Sequence, residues 1–285
     1  MQQEEASRVY AARLLFLDLS RNAERQLKYR ELDSLYRELV RIEVLRENSG
    51  EGTPLVRHLA EGRSMQTELE LHALEHEANH LSQQLAWMIG ASGEVTPLVE
   101  TLFRDTSLVH PDVQADTTLV ARYYQMEIAA SKANAAMEAT RMNPSLSTGL
   151  FAQWLGDGQV FPGWNVTLSV PLFRKAYQAG VSHARIGTEV AEAAYQQQLL
   201  TLHQTSAEIH HDLEVFDHEL DYYRHHGLME ASEILRVTRL SLASGEIDFM
   251  TGLRAIEQAM DMRMAHIEAA YGFRRNLLHY QLITQ

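Results

Sequence analysis

The chain has 285 residues, a formal net charge of −13 and no cysteine. The acidic balance argues against nucleic acid as a partner, because binding phosphate backbones needs clustered Lys and Arg. The lack of cysteine excludes disulfides and zinc thiolates within the chain, and no apolar run is long enough to predict a transmembrane helix.

Three helices are predicted in the first half of the chain. Residues 4–48 carry an apolar stripe at three- and four-residue spacing, and a turn rich in Gly and Pro separates them from a second helix that ends near Gly90. Residues 91–110 form a connector. A third helix follows to about Met142, where Asn143-Pro144 stops it.

The stretch after Pro144 changes to a two-residue period, which predicts a β-hairpin. Its arms are Leu146–Leu155 and Gly163–Leu172, joined by a Gly- and Pro-containing loop over residues 156–162. Each arm has about ten residues, the length of a tilted transmembrane β-strand. A small surface hairpin on a soluble helical bundle is the alternative. The residues assigned to the hairpin are Leu146, Leu150, Trp154, Trp164, Val166, Leu168, Val170 and Pro171.

The remainder, Arg174–Gln285, contains no proline and predicts two long helices. Only the turn Ser244-Gly245-Glu246 interrupts it, leaving pieces of about 70 and about 40 residues, far beyond an ordinary globular helix. Both pieces carry heptad-like apolar stripes, which predict antiparallel coiled-coil packing.

A short internal repeat connects the two halves. Ser49-Gly50-Glu51 recurs 195 residues later as Ser244-Gly245-Glu246, each time between two long helices. The repeat predicts two helical hairpins with equivalent tips.

Four segments resemble the outer membrane factor (TolC-like) family of efflux channels, and its cation-efflux branch in particular. Residues 163–173, Gly-Trp-Asn-Val-Thr-Leu-Ser-Val-Pro-Leu-Phe, resemble the strand that descends into the periplasmic helix. His110-Pro111-Asp112-Val113 resembles the start of the second repeat, and Pro144-Ser145-Leu146 the start of the ascending strand. Residues 242–248, Leu-Ala-Ser-Gly-Glu-Ile-Asp, resemble the turn at the periplasmic tip.

The resemblance implies a mainly α fold of long antiparallel coiled-coil helices, with the hairpin contributing to a transmembrane β-barrel. It implies a homotrimer in the outer membrane and periplasm of a Gram-negative bacterium, in contact with outer-membrane lipid. Such a channel exports substrates passively, with heavy-metal cations as the class that the branch suggests. A periplasmic adaptor and an inner-membrane pump of the RND type would be its partners, with no cofactor and no enzymatic activity.

The chain departs from the family pattern in showing one hairpin where the family has two. We therefore expect residues 1–90 to be the end of a first repeat and residues 111–285 the second repeat. This second repeat would comprise a helix, the hairpin at 145–172 and a long helical hairpin at 173–285. The missing hairpin and a signal peptide would lie before Met1, on another chain or on a fused partner.

The tip is the second departure, because the positions where the family often places acidic residues correspond to Thr251 and Arg254. Carboxylates lie close by in sequence and could replace them, although acidic residues at a helix start are also favoured by the helix dipole. The residues assigned to the tip and pore constriction are Gly50, Glu51, Gly245, Glu246, Asp248, Thr251 and Arg254.

One motif favours a different class of protein. His76-Glu77-Ala78-Asn79-His80 matches the H-E-x-x-H pattern, in which two His bind zinc and the Glu is a general base. A zinc metallopeptidase using His76, Glu77 and His80 is therefore an alternative, although a third ligand is not evident. A soluble coiled-coil scaffold or adaptor is the other alternative.

Overall fold

The computed structural model describes residues 2–97, 118–156 and 158–284. A five-residue π-helical turn, Tyr223–Gly227, separates the fourth and fifth helices. The predicted mainly α fold with long helices and one antiparallel hairpin is confirmed. The elements are α1 (Gln2–Asn48), α2 (Pro54–Ile89), α3 (Leu119–Thr140), β1 (Ser145–Leu155), β2 (Gln159–Ser169), α4 (Arg174–Tyr222), α5 (Leu228–Ser244) and α6 (Phe249–Thr284).

Part of the predicted connector, with the motif at His110 and the expected start of the third helix, falls outside the described residues. Thr118 begins the described part of that helix as its N-cap, and its side chain accepts a hydrogen bond from the Ala121 N–H at 3.2 Å. Among the described helices, none combines the length and the apolar character needed to cross a bilayer.

The first of two compact units contains the described residues up to 97 and those from Thr205 onward. In this unit α1 packs against both α2 and α6, and α6 packs against α5. The pairs α1–α2 and α5–α6 are the two predicted helical hairpins, and they meet along the contact between α1 and α6. The predicted division into residues 1–90, 91–110 and 111–285 stays a prediction, since compactness does not test whether segments are repeats.

Two apolar clusters hold this unit together, and α6 supplies residues to both. The cluster nearer the turn at Gly245 is built on Leu242, Phe249, Leu253, Ile256 and Met260, with Tyr36 and Leu39 from α1. The other is built on Leu213, Leu220, Ile267, Ala270 and Phe273, with Leu17 from α1. The α6 members of the two clusters lie mostly three or four residues apart, which places them on one buried face of that helix.

The π-turn corrects a break in the apolar seam of the long helix. The seam alternates steps of three and four residues, which bury Leu213, Leu220 and Gly227 one heptad apart. A step of three from Gly227 would make Glu230 the next seam position. Glu230 is exposed, and Ala231 is buried instead. A π-turn adds one residue to a helical turn, so it absorbs this extra residue and keeps the seam of α5 against α6. A single uninterrupted helix from Arg174 to Ser244 was expected, and the structure differs here for this reason.

The second unit extends to Gln204 and contains α3, the hairpin and the first part of α4. Its two helices contact each other through polar side chains. Ser131 and Thr188 have hydroxyl oxygens 3.2 Å apart, and Lys132 forms an ion pair with Glu192 at 2.8 Å. Polar side chains therefore contribute to the contact between these helices.

Gly252 offers a direct test of the close α5–α6 contact. A Cβ at this position would lie 2.6 Å from Leu242 Cδ1 and 2.8 Å from Leu242 Cγ. Because Leu242 is only 1% exposed, it has no free space to move into. We expect Gly252→Ala to lower the free energy of unfolding by about 1–3 kcal/mol, the usual effect of overpacking. Urea denaturation of the variant measures this.

The matched control is Gly62→Ala in the interior of α2, where a Cβ would meet nothing within 4 Å. Alanine favours the helix over glycine, so the control should leave stability unchanged or raise it by up to about 1 kcal/mol. Equal losses in both variants would contradict the proposed packing.

Candidate functional site

The hairpin presents one apolar face and one mainly polar face. The strands pair in register from Ser145 with Ser169 to Leu155 with Gln159, and directly paired residues share a face. The apolar face contains the pairs Leu146–Leu168, Thr148–Val166, Leu150–Trp164, Ala152–Pro162 and Trp154–Val160. The opposite face contains Ser147–Thr167, Gly149–Asn165, Phe151–Gly163 and Gln153–Phe161.

The apolar face is exposed in the single chain. Leu150 is 90% exposed, and Trp154 and Trp164 are each 75% exposed. Soluble monomers rarely expose contiguous apolar patches larger than a few hundred Å², and such patches mark contacts with lipid or protein. Within the described part of the chain, the apolar face of the hairpin is therefore a candidate contact surface for lipid or protein.

The hairpin ends earlier, and its loop is shorter, than predicted. β2 begins at Gln159, so that Pro162 lies inside the strand, where an open sheet edge tolerates a residue without an N–H. At the other end β2 stops at Ser169, and Val170 and Pro171 lie in the segment before α4. Continuing the register would pair Val170 with Pro144. Pro144 before β1 and Pro171 after β2 both lack the N–H that a ladder needs, which explains the end of the sheet.

The two turns between paired helices have the same backbone hydrogen bonds. Gly50 and Gly245 both adopt the left-handed conformation, with φ of 80° and 78°. In each turn the two residues after the glycine donate their N–H groups to the same carbonyl oxygen, that of the residue four positions before the glycine. These bonds give a partner to a carbonyl that the end of the helix would otherwise leave free. The bonds are Glu51 and Gly52 to Arg46, both 2.9 Å, and Glu246 and Ile247 to Ser241, 2.9 and 3.4 Å.

A residue not singled out from the sequence, Arg46, joins the two turns. Its Nη2 donates to the carbonyl oxygen of Leu242 at 2.5 Å, and its Nη1 donates to Glu43 Oε1 at 3.1 Å. Glu43 is 4% exposed, so Arg46 supplies the charge that this carboxylate needs. Arg46 sits in the last turn of α1, where basic residues are common, and this position alone gives no sign of a partner 196 residues away.

The carboxylates predicted at the tip are exposed, and two of them have local partners. Asp248 caps α6: its Oδ1 accepts from the Thr251 N–H at 3.0 Å, and its Oδ2 accepts from the Thr251 hydroxyl at 2.7 Å. These bonds hold the pKa of Asp248 below its usual value. Glu246 accepts from the Ser241 hydroxyl at 3.1 Å. Arg254, one turn into α6, is exposed.

The H-E-x-x-H residues lie on α2 without converging. Glu77 Oε2 accepts from the Asn22 amide of α1 at 2.8 Å, while His76 and His80 are exposed and His80 contacts Gln84 at 2.9 Å. Among the described residues, no group of three or more His, Asp or Glu side chains is arranged to hold a metal ion. Within the described residues, the third metal ligand that the predicted zinc site would need is therefore not found beside His76 and His80.

The fold can be compared with those of known proteins. No protein-family model and no curated protein matches the sequence. The architecture, however, is shared with solved structures of outer membrane channel proteins over nearly the whole of this chain. At the low identities involved, the likeness shows a common fold.

Three of these structures illustrate the likeness. The outer membrane protein VceC of Vibrio cholerae has 13% identity and a TM-score of 0.83, covering 99% of this chain and 72% of that one. The outer membrane channel CmeC of Campylobacter jejuni has 12% identity and a TM-score of 0.82, covering 99% and 63%. CusC, described for its transmembrane channel formation, has 13% identity and a TM-score of 0.85, covering 99% and 69%.

Substitution of Arg46 tests the link between the turns. Arg46→Gln removes a charged hydrogen bond and leaves buried Glu43 without this cation, which should cost about 2–4 kcal/mol of unfolding free energy. We also expect faster amide hydrogen exchange in residues 242–247, measured by mass spectrometry.

Arg236→Gln is the control, because Arg236 pairs with Glu233 at 2.6 Å on an exposed helix surface. Because solvent screens an exposed pair of this kind, its loss should leave the stability nearly unchanged. Unchanged exchange at residues 242–247 in Arg46→Gln would show that the link does not order the tip.

Proposed function

We propose that this chain is the outer-membrane channel component of a tripartite efflux system. In this proposal it is a passive export duct in the outer membrane and periplasm of a Gram-negative bacterium. An inner-membrane pump of the RND type and a periplasmic adaptor would hand substrates to it. The observation that carries the proposal is the exposed apolar face of a hairpin on a fold shared with outer membrane channels.

The dimensions of the hairpin fit an outer membrane. Each strand has 11 residues and extends about 36 Å at 3.3 Å per residue. A tilt of about 40° reduces this to about 28 Å, close to the apolar band of about 25 Å in outer-membrane barrels. Apolar residues on one face and mainly polar residues on the other are what a barrel wall between lipid and a water-filled interior requires.

A two-stranded sheet has two open edges, and open edges do not occur in lipid. We therefore propose a homotrimer in which hairpins close into a common barrel. The solved channels to which the chain is similar are longer, with 63–72% of their length covered in the three examples. A further strand pair per protomer, from outside this chain, would complete the barrel in the manner of the family.

In this proposal the joined turns form a constriction of the duct. Glu51, Glu246 and Asp248 place exposed carboxylates at the two turns, and a ring of carboxylates in a pore favours cations over anions. This charge supports cations, heavy-metal ions among them, as the exported class. Gly50, Gly245, Thr251 and Arg254 belong to the same proposed constriction, where the adaptor would dock.

Fractionation and electrical recording test the proposed function. Expressed together with the segment that supplies the further strand pair, the protein should sediment with outer membranes, require detergent for extraction, and give trimers and cation-selective conductance in planar bilayers. A soluble coiled-coil scaffold would remain in the aqueous fraction without detergent. Recovery of a stable, monodisperse protein in detergent-free buffer would overturn the proposal.

Two neighbouring positions of β2 distinguish lipid contact from general damage. Val166 lies on the apolar face and Thr167 on the polar face, one residue apart in depth. Val166→Arg should destabilise the inserted state by about 2 kcal/mol, because an arginine would then face hydrocarbon. Thr167→Arg should insert almost as well as the wild type. The measurement is the fraction of each variant assembled in lipid vesicles; equal insertion of both would contradict the assignment of faces.

A further inference from the structure

His266 on α6 lies against the π-turn of residues 223–227. Its side chain is 8% exposed, and its ring contacts that of Tyr223 with centroids 6.0 Å apart and planes at 64°. The π-turn also packs on α6. A titratable imidazole therefore occupies the position where the long helix shifts its seam by one residue and continues as α5.

The charged groups around His266 are mostly positive. Arg224 of the π-turn and Lys28 of α1 both act on the imidazole as cations. The carboxylate of Glu31 contacts Lys28 at 3.3 Å and accepts from Arg263 of α6 at 2.5 Å, so it already balances two cations. Tyr223, whose ring contacts the imidazole, is neutral, because burial raises its pKa above the ordinary value. An imidazolium at position 266 would thus add a third positive charge to a buried site.

Burial, assisted by Arg224 and Lys28, lowers the pKa of His266 from 6.5 to about 4. The packed state consequently holds the neutral imidazole, whereas an opened state would bind a proton at the ordinary pKa. Above pH 6.5 His266 is neutral in both states, so its lowered pKa does not affect the stability of the packed state. As the pH falls from about 6.5 toward about 4, the opened state gains a proton that the packed state does not bind, and the packed state is progressively destabilised.

We propose that His266 and the π-turn form a pH-sensitive hinge in the second helical hairpin. Mild acid opens the contact between the π-turn and α6 and lets α5 change its packing on α6. The π-turn is the favoured place for such opening, because its wider hydrogen-bonded ring is less regular than the α-helix on either side. The hinge goes beyond the proposed channel function, because it rests only on the contact between the π-turn and α6 and does not require that the chain form a channel.

Hydrogen exchange of the full chain in detergent tests the hinge. Peptides covering residues 220–232 report opening of the π-turn, once intrinsic exchange rates at each pH are taken into account. For pKa values of 6.5 in the open state and about 4 in the packed state, the open population should rise about 30-fold between pH 7.5 and pH 5. His266→Gln, which cannot gain a proton, should abolish most of that rise.

His226→Gln is the matched control, because His226 belongs to the same π-turn and is exposed. It should retain the full pH dependence. If His266→Gln does not fold, histidine-selective NMR titration of the wild-type chain decides: His266 should stay neutral at pH 5. Titration of His266 near pH 6.5, or equal pH dependence in His266→Gln and the wild type, would overturn the hinge.

Discussion

Packing of one face of α6 against both α1 and α5 is the interaction on which the rest of the first unit depends. Both apolar clusters are built around α6, from Phe249 near the turn to Phe273 and beyond. Without this helix the two hairpins would lose their common contact, since α1 meets α6 directly. The hydrophobic effect favours this burial, and the close approach at Gly252 makes it specific, because only a residue without Cβ leaves room for Leu242.

The π-turn preserves that packing where the apolar seam of the long helix contains one extra residue. An extra residue between Gly227 and Ala231 would turn the apolar stripe of α5 away from α6 in an ordinary helix. The wider turn restores the stripe, at the price of a less regular hydrogen-bond ladder. It also places buried His266 beside Tyr223, so a local packing correction and a titratable group coincide.

In the hairpin, unlike in the helices of the first unit, the apolar residues are exposed. The strand register places Leu146, Leu150 and Trp154 on one face with their apolar partners, and nothing in the described chain covers that face. Among the described residues, an unburied apolar face and two open sheet edges therefore occur together, a combination typical of a surface that contacts lipid or another protein. The proposed outer-membrane channel would give this apolar face a lipid contact.

Features governed by neighbouring residues could be predicted from the sequence, whereas long-range partners could not. The long helices follow from proline-free, periodic segments, the hairpin from two-residue alternation, and the matching turns from the repeated Ser-Gly-Glu, because each depends on local backbone preferences. The strand ends at Ser169 and the π-turn at 223–227 depend on register and on packing against a second element. The link from Arg46 to Leu242, the burial of His266 and the separation of Glu77 from a metal-binding geometry were decided only by tertiary structure. In each of these cases the decisive partner lies far away in the chain, and side chains of similar local pattern can face solvent or a neighbouring helix with equal ease.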